Sequence, residues 1–301
     1  MQLILIYLEN KAVTLSSYCT ITFIIVMPIT TETPLTVEQL TKEFERSGNK
    51  LRSYLLRITA SAADAEDIAQ DTFVKAVDHL SSFRMQSSVP TWLFAIATNL
   101  AKDNLRARKR WVEHVTDVTR EAALGNASFL HEALNIRSTS PQGQFEIREH
   151  IAFCFTCVAK SLPLQHQVTL LLKEVYEFKV AEIALIIDTT EAMVKYYLRE
   201  SRSKMIEIFD GRCSLINKQG ACHQCSELNG LFNPKQNFQE EAMKIDLVQQ
   251  ANKAGKAYLF DLRMKILRGI DPFESNSAEL QLFHLQHNRK VMETYLEKNK
   301  T

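Results

Sequence analysis

The stretch Ser61-Ala-Ala-Asp-Ala-Glu-Asp-Ile-Ala-Gln-Asp-Thr-Phe-Val-Lys-Ala76 has the pattern of an amphipathic helix. Its first four residues have the form of a capping box, in which the serine hydroxyl accepts a hydrogen bond from the first helical turn. Ile68, Thr72, Ala76 and Leu80 then recur every four residues, which predicts one buried stripe. The sequence therefore predicts a helix that packs into a helical core.

Another face of the same helix is predicted to be acidic. Its members are Asp64, Glu66, Asp67, Gln70 and Asp71. Like charges three or four residues apart cost an isolated helix about 0.2–0.5 kcal/mol per pair. Two interpretations stay open at this point: a face that contacts only solvent, or a docking surface for a basic partner helix.

A second helix is predicted to start at Pro90 and to end in a basic cluster. The candidate DNA-binding residues are Trp92, Asn99, Arg106, Arg108, Lys109 and Arg110. A tryptophan ring can stack on an unpaired base at about 1–3 kcal/mol, and arginines neutralise phosphates. The alternative is a core tryptophan beside a basic helix end that interacts with its own dipole.

A helix-turn-helix is predicted in the second half of the chain. A short helix that begins near Val180 is followed by the turn Asp188-Thr189-Thr190 and by a longer helix. The polar outer stripe of the longer helix contains Glu191, Lys195, Arg199 and Arg202, with Tyr196 beside it and Thr190 at its start. This pattern is typical of a helix that reads the major groove, although a plain three-helix bundle would share it.

Nearly every other segment has helical periodicity, and no run alternates like a strand. We therefore expect an all-α protein, with two small helical domains joined by a flexible linker and followed by a helical C-terminal extension. The predicted parts are 1–36 (a disordered or wrongly annotated start), 37–111 (first domain), 112–144 (linker), 145–210 (helix-turn-helix domain) and 211–301 (extension). With 36 basic and 35 acidic side chains, the net charge of +1 excludes a protein that coats nucleic acid through bulk charge.

The first 27 residues contain two apolar stretches, and each is too short to span a membrane. We interpret residues 1–26 as an extension of the gene model and Met27 as the initiator, and a weak membrane anchor is the alternative. No membrane span is expected. Without that segment nothing directs the chain out of the cytoplasm, so a cytoplasmic protein is expected.

Together these blocks resemble bacterial RNA polymerase sigma factors of the extracytoplasmic-function class, which keep only the second and fourth conserved regions. The motif from Asp64 to Ala76 and the stretch Pro90-Thr-Trp-Leu-Phe-Ala-Ile-Ala-Thr-Asn99 are similar to the second region. Leu162-Pro163, Glu182-Ile-Ala184 and Val194-Lys195 are similar to the fourth. Asp188 and Glu177 stand where the family usually has glycines, and aspartate can adopt the left-handed conformation at some cost.

The resemblance implies a role for each surface. The side chains of Asp64, Glu66, Asp67, Gln70 and Asp71 would dock on core RNA polymerase. The loop of residues 83–89, with Trp92 and Asn99, would open the minus-ten promoter element, and the basic cluster would hold the promoter backbone. Thr190, Glu191, Lys195, Tyr196 and Arg199 would read the minus-thirty-five element. Such a chain is not an enzyme and requires no cofactor, and an anti-sigma factor is a further expected partner. The alternative is a stand-alone helix-turn-helix transcriptional regulator.

Cysteines occur in two groups. Cys154 and Cys157 lie one turn apart on a predicted helix, and Cys213, Cys222 and Cys225 follow the last helix of the second block. This spacing suggests either a redox sensor or a zinc site of the three later cysteines, completed by Cys154 or Cys157. A set of small buried hydrophobic side chains is the alternative. We expect the extension to regulate the protein in cis by masking the DNA-binding helix.

Overall fold

The computed structural model describes residues 35–107, 115–139, 147–212, 255–275 and 278–299. Within these ranges the regular structure consists of eleven α-helices and one 3-10 turn. The predicted all-α fold is therefore confirmed for the described residues. The predicted N-terminal extension lies outside them, except for its last two residues.

Three helices and a 3-10 turn form the first lobe: α1 (Val37–Thr59), α2 (Ala62–Asp78), the turn (Leu80–Ser82) and α3 (Val89–Ala107). The start of α2 has the predicted cap, because the Asp64 backbone N–H donates to the Ser61 hydroxyl at 3.2 Å. Ile68, Thr72 and Ala76 are buried, which confirms three members of the predicted stripe, whereas Leu80 lies in the 3-10 turn and is only partly buried. α2 packs on α1 and α3, so hydrophobic periodicity alone located this core.

Two helices occupy the segment that the sequence predicted as a flexible linker: α4 (Val115–Leu124) and α5 (Ala127–Thr139). That part of the prediction was wrong. Val115, Thr119 and Ala123 form a buried stripe on α4. The stripe is short and contains a threonine and an alanine, so its periodicity in the sequence is weak. Both helices pack against the helix Ala278–Lys298, and such tertiary packing supplies most of the stability of short helices.

Four helices form the second lobe: α6 (Ile147–Ala159), α7 (Leu164–Glu174), α8 (Val180–Ile187) and α9 (Glu191–Arg212). α8 and α9 form the helix-turn-helix arrangement, and α7 packs against both. Asp188 ends α8 with a φ of 53°, and Glu177 has a φ of 62°. Both residues therefore adopt the left-handed conformation that glycine would adopt without strain.

Two helices of the extension are described, α10 (Lys256–Arg268) and α11 (Ala278–Lys298). α10 packs against α6 and α9, whereas α11 packs against α4 and α5. The buried side chains of these helices, such as Phe260 and Leu285, share one core with both lobes. The described part of the extension is therefore integrated into the fold and is not a separate domain.

The two lobes contact each other directly through α3 and α8. Aromatic rings fill this contact: the ring centroids of Phe94 and Phe178 lie 4.9 Å apart, and those of Tyr54 and Tyr176 lie 5.5 Å apart. The hydroxyl groups of Ser53 and Tyr176 are 3.0 Å apart, within hydrogen-bond distance. The sequence did not predict this interface, because its residues share no local pattern.

We expect the stability of the helix-turn-helix to depend on the residue at position 188. Replacing Asp188 with alanine should lower the free energy of unfolding by about 1 kcal/mol, because alanine is strained at positive φ and has no polar side chain to compensate. Replacing it with glycine should preserve or raise stability. Urea unfolding followed by circular dichroism measures both variants. Equal stability of the alanine and glycine variants would contradict the strained turn.

Candidate nucleic-acid and protein interfaces

α2 presents an exposed acidic face on the surface of the first lobe. Asp67, Gln70 and Asp71 are exposed, and Asp78 continues the face along the helix. Val74 lies among them and is 56% exposed. Protein interfaces commonly combine an apolar centre with a polar rim, so the spacing could have identified Val74 as a member of this face. We call these five side chains the acidic face.

Two of the five predicted docking residues are engaged within the protein. Glu66 is partly exposed and accepts a hydrogen bond from Nε of Arg52 on α1 at 2.7 Å. Asp64 is only 2% exposed, so the prediction that it lies on an exposed face is wrong. Arg289 of α11 lies over the first turn of α2, with a guanidinium nitrogen 3.9 Å from the Asp64 carboxylate. This contact joins distant parts of the chain and has no signal in the local sequence.

α3 carries the predicted minus-ten side chains that fall within the described residues. Asn99 and Arg106 are exposed, and Arg106 pairs with Asp103 at 3.2 Å. Trp92 is half-buried, and its indole ring stacks on the ring of Phe83 with centroids 4.5 Å apart. This tryptophan therefore supports the surface beside the loop and is not simply a core residue. Arg108, Lys109 and Arg110 lie outside the described residues.

The loop before α3 contains a strained residue that the sequence did not single out. Met85 has a φ of 52° and is 45% exposed. Backbone strain at a non-glycine residue costs free energy and is often found at functional sites. Arg84, next to it, is also exposed. The loop therefore displays one apolar and one basic side chain near the stacked rings of Phe83 and Trp92.

The outer face of α9 is exposed, as a helix that reads DNA requires. The exposed side chains are those of Thr190, Glu191, Lys195, Tyr196 and Arg199. Thr190 also caps the helix, because its hydroxyl accepts a hydrogen bond from the Met193 backbone N–H at 3.3 Å. The guanidinium carbon of Arg199 lies 5.6 Å from the centroid of the Tyr196 ring, a cation–π distance. Residues 255–275 and 278–299 of the extension leave these five side chains exposed, and masking of the DNA-binding helix by the extension stays a prediction.

Arg202 departs from the predicted outer stripe of α9. Its guanidinium donates to the Glu174 carboxylate of α7 at 2.5 Å and to the Asp261 carboxylate of α10 at 2.6 Å. Arg268 of α10 donates to the Glu174 backbone carbonyl at 2.6 Å. Arg202 therefore joins α9 to the extension and is not available to DNA in this arrangement.

Charged groups of the second lobe adjoin α3. The Thr91 hydroxyl lies 3.5 Å from the Glu182 carboxylate of α8. Burial lowers the pKa of Lys102, and the charge of Arg106 adds to this effect, whereas the charge of Asp188 opposes it. α8 thus covers part of the helix that the sequence predicts to bind the minus-ten element.

The described cysteines, Cys154 and Cys157, are buried in α6. The side-chain amide of Asn288, on α11, donates to Sγ of Cys157 at 3.6 Å. Cys213, Cys222 and Cys225 lie outside the described residues. Among the residues that the structure describes, no group of three potential metal ligands occurs. Cys157 thus takes part in the contact between α6 and α11, and zinc binding stays a prediction.

Lys160, directly after α6, should make the stability of the fold depend on pH. It is 2% exposed, and burial lowers the pKa of its amine from 10.5 to about 8. Between these pH values the unfolded chain binds a proton that the folded chain does not, so the free energy of unfolding gains a contribution that rises with pH. The Lys160→Met variant should lack this contribution. Urea unfolding of both proteins from about pH 7.5 to about pH 9.5 measures it, and parallel curves would contradict the burial of the amine.

Comparisons with known proteins identify the first lobe. Residues 44–111 match the sigma-70 region 2 family. SigG, an ECF RNA polymerase sigma factor from Mycobacterium tuberculosis, is 27% identical over 181 residues, which cover 52% of this chain and 45% of SigG. The RNA polymerase sigma factor YlaC from Bacillus subtilis is 28% identical over 169 residues, which cover 56% of this chain and 89% of YlaC. Residues 44–111 of this chain are thus similar to sigma-70 region 2, and about half of the chain is similar to RNA polymerase sigma factors.

The extent of the similarity differs between relatives. The aligned part spans less than half the length of SigG. The sigma factor RpoE from Bartonella quintana, solved in complex with the anti-sigma factor NepR, superposes with a TM-score of 0.40 at 18% identity, over 56% of this chain and 96% of RpoE. In the part of the chain that the structure describes, no helix is both long and apolar enough to cross a membrane.

Proposed function

We propose that this protein is a sigma factor, which binds core RNA polymerase and directs transcription initiation at specific promoters. The observation that carries the proposal is the combination, in one chain, of a region 2 domain with an exposed acidic face and a helix-turn-helix with an exposed outer face. Sigma factors are not enzymes. In this proposal the chain contributes no catalysis, requires no cofactor and acts in the cytoplasm beside the polymerase.

A stand-alone helix-turn-helix regulator would explain only the second lobe. Such a protein needs neither an acidic face on α2 nor a stacked aromatic pair beside α3. Residues 44–111 match a family defined by sigma factors, which argues against this alternative.

Core polymerase would dock on the acidic face of α2. Asp67, Asp71 and Asp78 supply negative charge along three turns, and Val74 supplies an apolar contact among them. Complementary charge steers association and sets the orientation of the partner, whereas burial of apolar area adds affinity. A basic helix with one apolar side chain at its centre would fit this surface.

Replacing Asp67 and Asp71 together with asparagine should weaken binding to core polymerase by about tenfold or more, because the docking surface loses its charge. Fluorescence anisotropy of the labelled chain with purified core measures this affinity, and run-off transcription from a genomic promoter pool should fall in parallel.

The matched control replaces Glu38 and Glu45, both exposed on α1, with glutamine. This variant loses the same charge from another surface and should bind like the wild type. Equal affinities of test and control would contradict the docking surface. Absence of promoter-directed transcripts with the wild-type chain would contradict the sigma-factor proposal itself.

The minus-thirty-five element would be read by the outer face of α9. Lys195 and Arg199 carry donors for base edges and phosphates, and both are exposed. The contact with Tyr196 restricts the guanidinium of Arg199 on the protein surface, so less side-chain entropy is lost when it binds a base.

Replacing Arg199 with alanine should weaken binding to the minus-thirty-five element by about tenfold, because one good base contact is worth about 1–3 kcal/mol. Binding to core polymerase should be unchanged. Lys204→Ala, on another face of α9, is the control that removes an exposed charge of the same sign. Gel-shift titration of the holoenzyme with intact and scrambled elements distinguishes the two. Equal losses for both variants would indicate general electrostatics and contradict base recognition by Arg199.

The minus-ten element would bind along α3 and the loop before it. An extruded base costs a few kcal/mol of lost stacking, which aromatic and apolar side chains can replace. The paired rings of Phe83 and Trp92 and the exposed side chain of Met85 offer such a surface. Arg106, with the predicted Arg108, Lys109 and Arg110, would hold the backbone of the opened strand.

Three further roles are proposed from the sequence. Residues 211–301 would regulate the sigma factor. Cys213, Cys222 and Cys225 would bind zinc or respond to oxidation, as their spacing predicts. An anti-sigma factor would be a further partner.

A further inference from the structure

The contact between the two lobes is incompatible with simultaneous binding of both promoter elements, an argument that rests on the proposed function. The elements are named for positions about 25 base pairs apart, which is about 85 Å of B-form DNA at about 3.4 Å per base pair. In this structure α3, which would bind one element, packs directly against α8, which precedes the helix that would read the other. α9 has 22 residues and is therefore about 33 Å long, so from its position beside α8 it is too short to reach an element about 85 Å from the element bound by α3. The lobes must separate before both elements are bound.

We infer that α10 and α11 act as an internal partner that holds the first lobe against the second, and that the first lobe is released when a promoter is bound. The extension makes two kinds of contact, one with each lobe. The contact with the second lobe is mainly apolar and the contact with the first lobe is mainly polar, and this difference indicates that the molecule opens at the first lobe.

The contact between α10 and the second lobe is broad and mainly apolar. Leu259, Phe260 and Met264 are buried. The guanidinium of Arg263 lies 3.6 Å from the centroid of the Phe209 ring, on α9. The ion pairs of Arg202 with Asp261 and of Arg268 with Glu174 reinforce this contact. α10 therefore stays with the second lobe when the molecule opens.

The contact between the extension and the first lobe is made largely by arginines. Nη2 of Arg57, on α1, donates to the Ile270 carbonyl after α10 at 2.8 Å. Arg289 of α11 donates to the Thr59 carbonyl at 2.7 Å. The guanidinium of Arg52 lies 5.0 Å from the ring centroid of Phe273. Guanidinium and carbonyl groups hydrate readily when they are exposed, so this interface suits a contact that forms and breaks.

The separation plane, as we call it, runs between the first lobe and everything else. It crosses the arginine contacts above, the aromatic rings between α3 and α8, and the pair of hydroxyl groups on Ser53 and Tyr176. The hydrogen bond from the Gln167 side chain to the Arg57 carbonyl, at 3.1 Å, also lies on it. The acidic face of α2 is exposed and lies off this plane, so polymerase can dock on the closed form before the lobes part.

The test compares two full-length double variants. Arg289→Gln with Tyr176→Phe removes a hydrogen bond at each of two places on the separation plane. The control, Lys290→Gln with Tyr258→Phe, also removes one positive charge and one phenol hydroxyl, at exposed positions of α11 and α10. Dyes on unnatural amino acids at the exposed positions of Glu45 and Glu207 report the distance between the lobes by energy transfer. Circular dichroism verifies that each variant is folded.

We expect energy transfer to fall in the test variant only. The concentration of the chain that gives half-maximal run-off transcription from a promoter with both elements should fall about tenfold, because a larger fraction of the chain is competent to bind. Unchanged energy transfer would overturn the inference, and so would lower energy transfer with an unchanged half-maximal concentration. Energy transfer is measured on the free chain, so it reports whether the lobes are closed independently of transcription. If the wild-type protein directs no transcription, that result contradicts the proposed function and not the closure of the lobes.

Discussion

The closed arrangement depends on Arg57, a buried residue of α1 that joins three parts of the molecule. Its guanidinium donates to the carbonyls of Leu267 and Ile270, and its backbone carbonyl accepts a hydrogen bond from Gln167 of α7. A guanidinium that is 1% exposed needs such partners, because burying a charge without them is costly. The end of α10 is a suitable partner, since the last carbonyls of a helix lack intrahelical donors and carry partial negative charge. Electrostatics at one helix end therefore fixes the extension against the first lobe.

The surfaces proposed for partners are those that the core leaves outside. On α2, burial of Ile68, Thr72 and Ala76 against α1 and α3 turns Asp67 and Asp71 toward solvent. On α9, burial of Val194 and Met205 has the same consequence for Lys195 and Arg199. Each helix thus serves the core and a partner at the same time, because the helical period separates the two faces.

Two positive-φ residues show how the second lobe departs from an ideal sequence. Glu177 and Asp188 flank α8, where glycine would carry no strain. Each has a charged neighbour elsewhere in the fold: Glu177 pairs with Arg268 at 3.3 Å, and the charge of Asp188 acts on Lys102. Glu177 thus carries an ion pair with α10 that glycine could not provide.

The sequence by itself determined the helices with strong periodicity, the cap at Ser61, and the exposed faces of α2 and α9, because each of these follows from residues within a few turns of one another. It did not reveal α4 and α5, because their apolar stripes are short and are buried only through packing against α11. Only the tertiary structure decided that Asp64 is covered by Arg289, that Arg202 pairs with Glu174 and Asp261, and that the two lobes are held together. These outcomes depend on contacts between residues far apart in the chain, which the spacing of residues within a few helical turns does not predict.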